Sequence, residues 1–245
     1  MAQIFHPATN TISRFSIIVF GVIGPLATLI IASAITRSSF GTNVGVPVSQ
    51  PVPFSHEHHA VELGIDCRYC HNLVEKSAEP GIPATEVCMS CHSQIWTDSP
   101  LLEPVRESYR TGQPLVWNRL NAVPQFVYFP HNIHVNRGIN CNNCHGAVQK
   151  MMLTSKGKPF FMAWCLNCHR HPEKFVSDKN FVWDLYKDYQ TGKVNEDTEH
   201  GKKERALADG EYYENGGEEL TKGEELIKQY HVKTAQLTDC SVCHR

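Results

Sequence analysis

The sequence predicts a mainly α-helical and irregular fold with little sheet, tethered by one N-terminal transmembrane helix. Three observations lead there. All ten cysteines of the 245-residue chain fall in Cys-x-x-Cys pairs, and each pair is followed at once by histidine: Cys67 to His71, Cys88 to His92, Cys141 to His145, Cys165 to His169 and Cys240 to His244. An uncharged apolar run extends from Phe15 to Ile35, between Arg14 and Arg37. The residues after that run, 38–245, carry one such motif per roughly 42 residues, within the usual size of a single domain.

The repeated pentapeptide is the attachment signal for c-type haem. Its two thiols lie one helical turn apart and form thioethers to one porphyrin edge, and the histidine stands beneath the iron. Zinc ribbons also use Cys-x-x-Cys pairs, but they need two pairs per site and no trailing histidine. With 14 histidines in the chain, five chance successes have odds on the order of one in a million, so structural disulfides are no better an account. Five covalent haems c are therefore expected, bound through Cys67, Cys70, Cys88, Cys91, Cys141, Cys144, Cys165, Cys168, Cys240 and Cys243. The proximal iron ligands are His71, His92, His145, His169 and His244. Porphyrin faces supply apolar area that side chains otherwise provide, so short helices at the haem sites, long loops and a haem-packed core follow.

Each segment has its own warrant. Residues 1–14 read as a cytoplasmic tail and 15–36 as the anchor, because about 20 apolar residues cross a bilayer whereas a signal-peptide core has about 7–15. The alternative is a cleaved signal, since Ala32-Ser33-Ala34 has the small residues of a cleavage site. Gly21, Gly24 and Pro25 interrupt the span and predict a kink or a close helix contact. Thioether attachment occurs outside the cytoplasm, which puts residues 54–245 on the outer, periplasmic side of the membrane. Residues 37–53, with Pro47, Pro51 and Pro53, read as an extended linker. The charged stretch 187–217 reads as a solvated or partner-wrapping arm. Residues 224–230 form a short helix leading into the fifth haem motif at 240–244.

The haem domain contains a duplication. Residues 54–92 and 129–169 each begin with Phe-x-His-x-x-His (Phe54, His56 and His59; Phe129, His131 and His134) and continue with two haem motifs. Histidines three apart lie on one side of a helical turn, from which each reaches a different haem. This arrangement resembles the class III multihaem cytochromes, where such histidines are distal ligands. The resemblance implies that His56 serves the motif at 67–71 and His131 the motif at 141–145, with His59 and His134 reaching to haems the sequence does not specify.

Four distal histidines leave a fifth haem to be completed. Met151 and Met162 lie between the third and fourth motifs, and His231 precedes Cys240 by nine residues. A thioether ligand would raise that haem's potential, and the three candidates stay open, as does an iron without a sixth protein ligand. His58 and His171 read as surface residues, His200 lies in the charged stretch, and His6 belongs to the cytoplasmic tail. If every iron has two protein ligands, no site is open to substrate, and the chain is expected to have no active site of its own.

The anchor, the linker, the first histidine motif, Trp164 to Arg170 and the terminal Thr238 to Arg245 together are similar to the pentahaem cytochrome subunits of alternative complex III, a bacterial quinol:cytochrome c oxidoreductase. The likeness covers most of the chain apart from 187–217. It implies an electron-transfer role beside an iron–sulfur subunit, multispanning quinol-site subunits and a monohaem cytochrome c, with electrons leaving for a periplasmic acceptor or terminal oxidase. Three rival readings are a stand-alone membrane-anchored quinol dehydrogenase, a reductase with one open haem, and a soluble shuttle released by cleavage of the span. A formal charge of −2 gives no footprint for nucleic acid.

Overall fold

The computed structural model describes residues 6, 8–184, 191, 192 and 194–244. The chain divides into two units, residues 1–44 and 45–245.

The first unit is dominated by a 30-residue helix, Ala8–Arg37, with a mean hydropathy of 2.4 and no buried residue in its most apolar window. At about 1.5 Å per residue it is long enough to cross a membrane. Pro25 cannot donate a backbone hydrogen bond, and in a regular helix its ring would collide with the carbonyl one turn earlier. The chain resolves this with a π turn at Val19–Ile23, in which the Gly24 amide donates to the Val19 carbonyl, five residues back. The helix therefore passes through the Gly-Pro interruption instead of breaking there. A further turn, Ser39–Thr42, ends at Asn43 in the left-handed region, with φ of 57°.

The second unit is built from short helices and long connections. Among the described residues there is no sheet, and the β-type pairing consists of isolated bridges, Pro47 with Ser155 and Val127 with His244. Its apolar clusters are small. One joins Val52, Leu102 and Val105 with Cys88 and Met89 against them. A second joins Val74, Val135 and Val182 with Cys141 and Trp183, and a third joins Phe181 and Leu207. Cores this small suit a domain in which porphyrin supplies apolar surface, and haem-motif cysteines border two of them.

Two segments differ from the sequence reading. Residues 45–53, the later part of the extended linker read at 37–53, are held against the rest of the second unit. The Gly45 amide donates to the Lys156 carbonyl, Gln50 and Asn118 exchange hydrogen bonds of 2.9 and 2.8 Å, and Val52 is buried. The charged stretch is not a solvated arm either, although 187–190 and 193 lie outside the described residues. It holds the helix Glu199–Ala208, whose inner face buries Gly201, Lys203, Glu204, Leu207 and Ala208. Lys203 is buried because Glu219 meets it at 3.2 Å and its ammonium lies 5.3 Å from the Phe181 ring centre. A buried lysine needs such compensation, and its partner comes from a different helix, Gly217–Gln229. The short helix expected at 224–230 is the end of this longer one.

Candidate haem centres

All five attachment motifs sit on helical turns: Cys67–Cys70, Thr85–His92, Cys141–His145, Met162–Arg170 and Cys240–Cys243. Asp66 and Asn140 cap two of them, accepting from the amides two residues on at 2.8 and 2.9 Å. The turn brings each histidine amide back toward its first cysteine, as in His71 to Cys67 and His244 to Cys240, both 2.9 Å. None of the ten thiols is in a disulfide. Burial pushes the Cys67 thiol up to about 11 and those of Cys144 and Cys168 to about 12. Such sites disfavour a free thiolate and tolerate a neutral thioether.

Histidines of the two Phe-x-His-x-x-His motifs face histidines of the attachment motifs. The ring centres of His131 and His145 are 6.3 Å apart with planes 10° from parallel. Those of His134 and His169 are 6.2 Å apart at 30°, and those of His59 and His92 are 6.3 Å apart at 62°. Two metal–imidazole bonds of about 2 Å each, placed between two half-rings, fill a gap of this size. His56 completes the set. Burial first, and then the neighbouring His71 and His59, hold its pKa down to about 4. Burial likewise lowers His134 and His145 to about 4, each with its facing histidine contributing. Near neutral pH these rings are uncharged, the form that binds metal.

Hydrogen bonds settle which nitrogen is free. Nδ1 donates to a backbone carbonyl in His71 (Gly81, 2.7 Å), His59 (Ser55, 2.8 Å), His131 (Ala78, 2.8 Å), His134 (Pro130, 2.9 Å) and His169 (Leu237, 2.8 Å). His92 and His244 make longer bonds of the same kind, to Ile95 and Phe126, at 3.2 and 3.3 Å. Nδ1 of His56 meets the Thr154 hydroxyl at 3.2 Å. A carbonyl on Nδ1 fixes the proton there and leaves Nε2 for a metal. The donor set and its spacing therefore fit haem iron.

The two histidine motifs share one geometry. Phe54 stacks on His59 at 4.4 Å and 25° and meets His56 edge-on at 4.9 Å. Phe129 stacks on His134 at 4.3 Å and 26° and meets His131 edge-on at 4.9 Å. The phenylalanine thus holds both rings of its turn at fixed angles.

The other histidines have different surroundings. His58 is exposed and bonded to Glu62 at 2.6 Å, His171 lies 3.4 Å from Glu173, and His200 bonds Glu219 at 3.2 Å. His231 is exposed, at a left-handed φ of 51°. His6 accepts from the Ala8 amide at the start of the following helix. Met151 offers its sulfur to the amide of Ser155 at 3.4 Å, and its carbonyl accepts from the His56 amide. Met162 is 60% exposed and precedes Cys165 by one turn of the same helix. The backbone acceptors Gly81, Ala78 and Leu237, and the hydroxyl of Thr154, were not visible as site residues, because each reaches its imidazole only through the tertiary fold.

Residues 127–206 match the family model for cytochrome c7 and related cytochrome c. That range takes in the second histidine motif, the third and fourth attachment motifs and most of the helix Glu199–Ala208, so the charged helix belongs to the matched domain. The chain is also similar to the menaquinone reductase multihaem cytochrome c subunit of Nitratidesulfovibrio vulgaris (strain Hildenborough), with 35% identity over 97 residues. Those residues are 39% of this chain and 45% of that relative, so the match spans less than half the relative's length. A mainly helical and irregular architecture, one N-terminal apolar helix and the match of residues 127–206 to the cytochrome c7 family model agree with the fold class predicted from the sequence.

Proposed function

We propose that this chain is a membrane-anchored electron-transfer subunit of a quinone-linked respiratory complex, binding five haems c. The observation that carries the reading is the facing of imidazole pairs drawn from one turn, His131 with His145 and His134 with His169. One turn presenting both rings fixes two metal sites next to each other. When bound, haem c supplies one-electron iron chemistry at a potential set by axial ligands, burial and hydrogen bonding.

The ten motif cysteines hold the porphyrins, and His71, His92, His145, His169 and His244 are the proximal ligands. His56, His59, His131 and His134 are the distal ligands of the first, second, third and fourth sites. Met162 is assigned to the fifth site in preference to Met151 and His231. Its helix carries Cys165, whose thiol is raised by burial and then by Cys243 of the fifth motif, whereas the Met151 sulfur already accepts from Ser155. With each site filled on both faces, the chain conducts electrons and has no active site of its own.

Helix Ala8–Arg37 anchors the subunit in the bacterial inner membrane, and the haem domain lies in the periplasm. The partners are an iron–sulfur subunit, multispanning quinol-site subunits and a monohaem cytochrome c, as in alternative complex III. Electrons run from quinol to a periplasmic acceptor or terminal oxidase. The similarity to a menaquinone reductase subunit supports a second reading, in which electrons run toward quinone.

Affinity purification of the full-length protein from gently solubilised native membranes tests both. Recovery of iron–sulfur and multispanning subunits, with quinol:cytochrome c turnover, supports the first direction. The same partners with quinone reduction support the second, and a lone pentahaem protein turning over quinol would sink the subunit reading.

A further inference from the structure

We infer that the five haem-attachment sites form a line in the order second, first, third, fourth, fifth, and that electrons are exchanged with outside partners at its two ends, the second and fifth sites. The inference rests on the electron-transfer reading above and adds to it an order that departs from the order of the motifs in the chain.

Each link has its own contact. The second and first sites are joined by the Tyr69 and Ser90 hydroxyls, one from inside each motif, 2.7 Å apart. The turn bearing His56 and His59 spans the same pair, since His59 faces His92 of the second motif. The first site is joined to the third through the segment that follows its motif. The Ala78 carbonyl accepts from both the amide and Nδ1 of His131, at 3.1 and 2.8 Å. Asn136 donates to the Glu75 carbonyl at 2.8 Å, and Val74 shares an apolar cluster with Val135 and Cys141. The third and fourth sites are spanned by the turn bearing His131 and His134. The fourth site reaches the fifth through Nδ1 of His169, which donates to the Leu237 carbonyl just before the last motif, at 2.8 Å.

The duplication explains the reversal. Each unit staples its own two sites, and the units meet through the first site of each, so the second site is turned outward. Exposure agrees: of the ten cysteines, Cys91 of the second motif and Cys240 of the fifth are exposed, and the other eight are partly covered. At the ends, one electron is taken from a one-electron donor and one is given to a one-electron acceptor, with no bond made or broken.

The order is tested by removing single haems from the full-length, haem-loaded chain in detergent, with haem number checked by intact mass. Electron paramagnetic resonance and equilibrium redox titration then count how many surviving haems change, because each haem interacts most strongly with its neighbours. The paired substitution Cys67→Ala with Cys70→Ala is expected to alter two surviving haems, and Cys88→Ala with Cys91→Ala only one. The opposite result, one and two, is what the order of the motifs in the chain requires, and it overturns the inference. Should a deletion prevent folding, His56→Met and His59→Met keep all five haems and raise one potential each. The first is expected to displace the midpoints of two neighbours and the second that of one. A wild-type chain whose haems show no mutual interaction overturns the relay and the order together, whereas reversed counts overturn the order alone.

The ends are tested with a bulky polymer attached at Thr97→Cys and Gln236→Cys. Both caps together are expected to slow oxidation by a protein-sized oxidant at least tenfold while leaving ferricyanide oxidation fast. Unchanged oxidation by the protein in the doubly capped chain assigns the exchange elsewhere.

Discussion

The side-chain amide of Asn142 donates to the backbone carbonyl of Leu207 across 2.7 Å. Asn142 has no exposed surface and also donates to Gln149 at 3.0 Å. It stands between Cys141 and Cys144, so the third attachment turn and the charged helix are locked by one side chain. Replacing it with alanine leaves buried acceptors without their donor, at about 1–3 kcal/mol. Chemical denaturation of the haem-loaded N142A protein should show a loss of that size, and a midpoint equal to wild type would refute the role given to this contact.

Gly157 sits where a Cβ would overlap the carbonyl of His145. Gly157→Ala must therefore shift the backbone at His145, the proximal ligand proposed for the third site. One haem of five is expected to show partial high-spin character in its ferric spectrum, read by electron paramagnetic resonance. Five unaltered low-spin signals would show that the backbone gives way without moving the ligand.

His131→Met exchanges one imidazole of the best-aligned pair for a thioether. The third haem's potential is expected to rise by about 0.1 V or more, a fraction of the roughly 0.8 V range that axial ligands span. Potentiometric titration measures it. A fall, or no change, would exclude His131 as the distal ligand.

Met162→Leu and Met151→Leu separate the candidates for the fifth ligand. The first should abolish the charge-transfer band of a thioether-ligated ferric haem, and the second should leave it intact. The reverse pattern would assign Met151.

Glu219 supplies a pH dependence. The hydrogen bond from His200, and then Lys203, hold its carboxyl at about 2, against the opposing effect of burial. A depressed folded-state pKa means that the stabilisation is complete above the ordinary carboxylate range and is lost as pH falls toward 2. His200 faces both Glu204 and Glu219, so the group responds as a cluster. Wild type should lose stability more steeply than Glu219→Gln between about pH 5 and pH 2, as followed by thermal unfolding. Parallel curves would remove Glu219 from the account.

Much of this arrangement is legible in the sequence because its chemistry is local. Two thiols and a histidine within five residues need only one helical turn, and the apolar run at 15–35 needs no partner to become a helix. The four motif histidines are visible because a turn sets residues three apart side by side. What stays hidden depends on contacts distant in sequence. That His59 faces His92 and His134 faces His169 follows from how the chain folds back after each motif, which spacing does not encode. The charged stretch misleads for a related reason. Lys203 looks like a solvent residue until Glu219 and Phe181 are brought around it, and Gly201, Leu207 and Ala208 are too few to mark a buried face in a run of charges. At Pro25 the sequence points to a kink or a close helix contact, and the structure sets a π turn at Val19–Ile23 just before it.

The lock between Asn142 and Leu207 also sets a timetable for biosynthesis. The third pair of cysteines lies on a turn that the later segment 199–208 closes over. Cys141 and Cys144 remain partly covered in the folded chain, but the turn that carries them is pinned there by Asn142. On the proposed haem reading, attachment at this turn is expected to precede docking of the charged helix. Docking of that helix is then a late step, fixing a turn that already carries its haem.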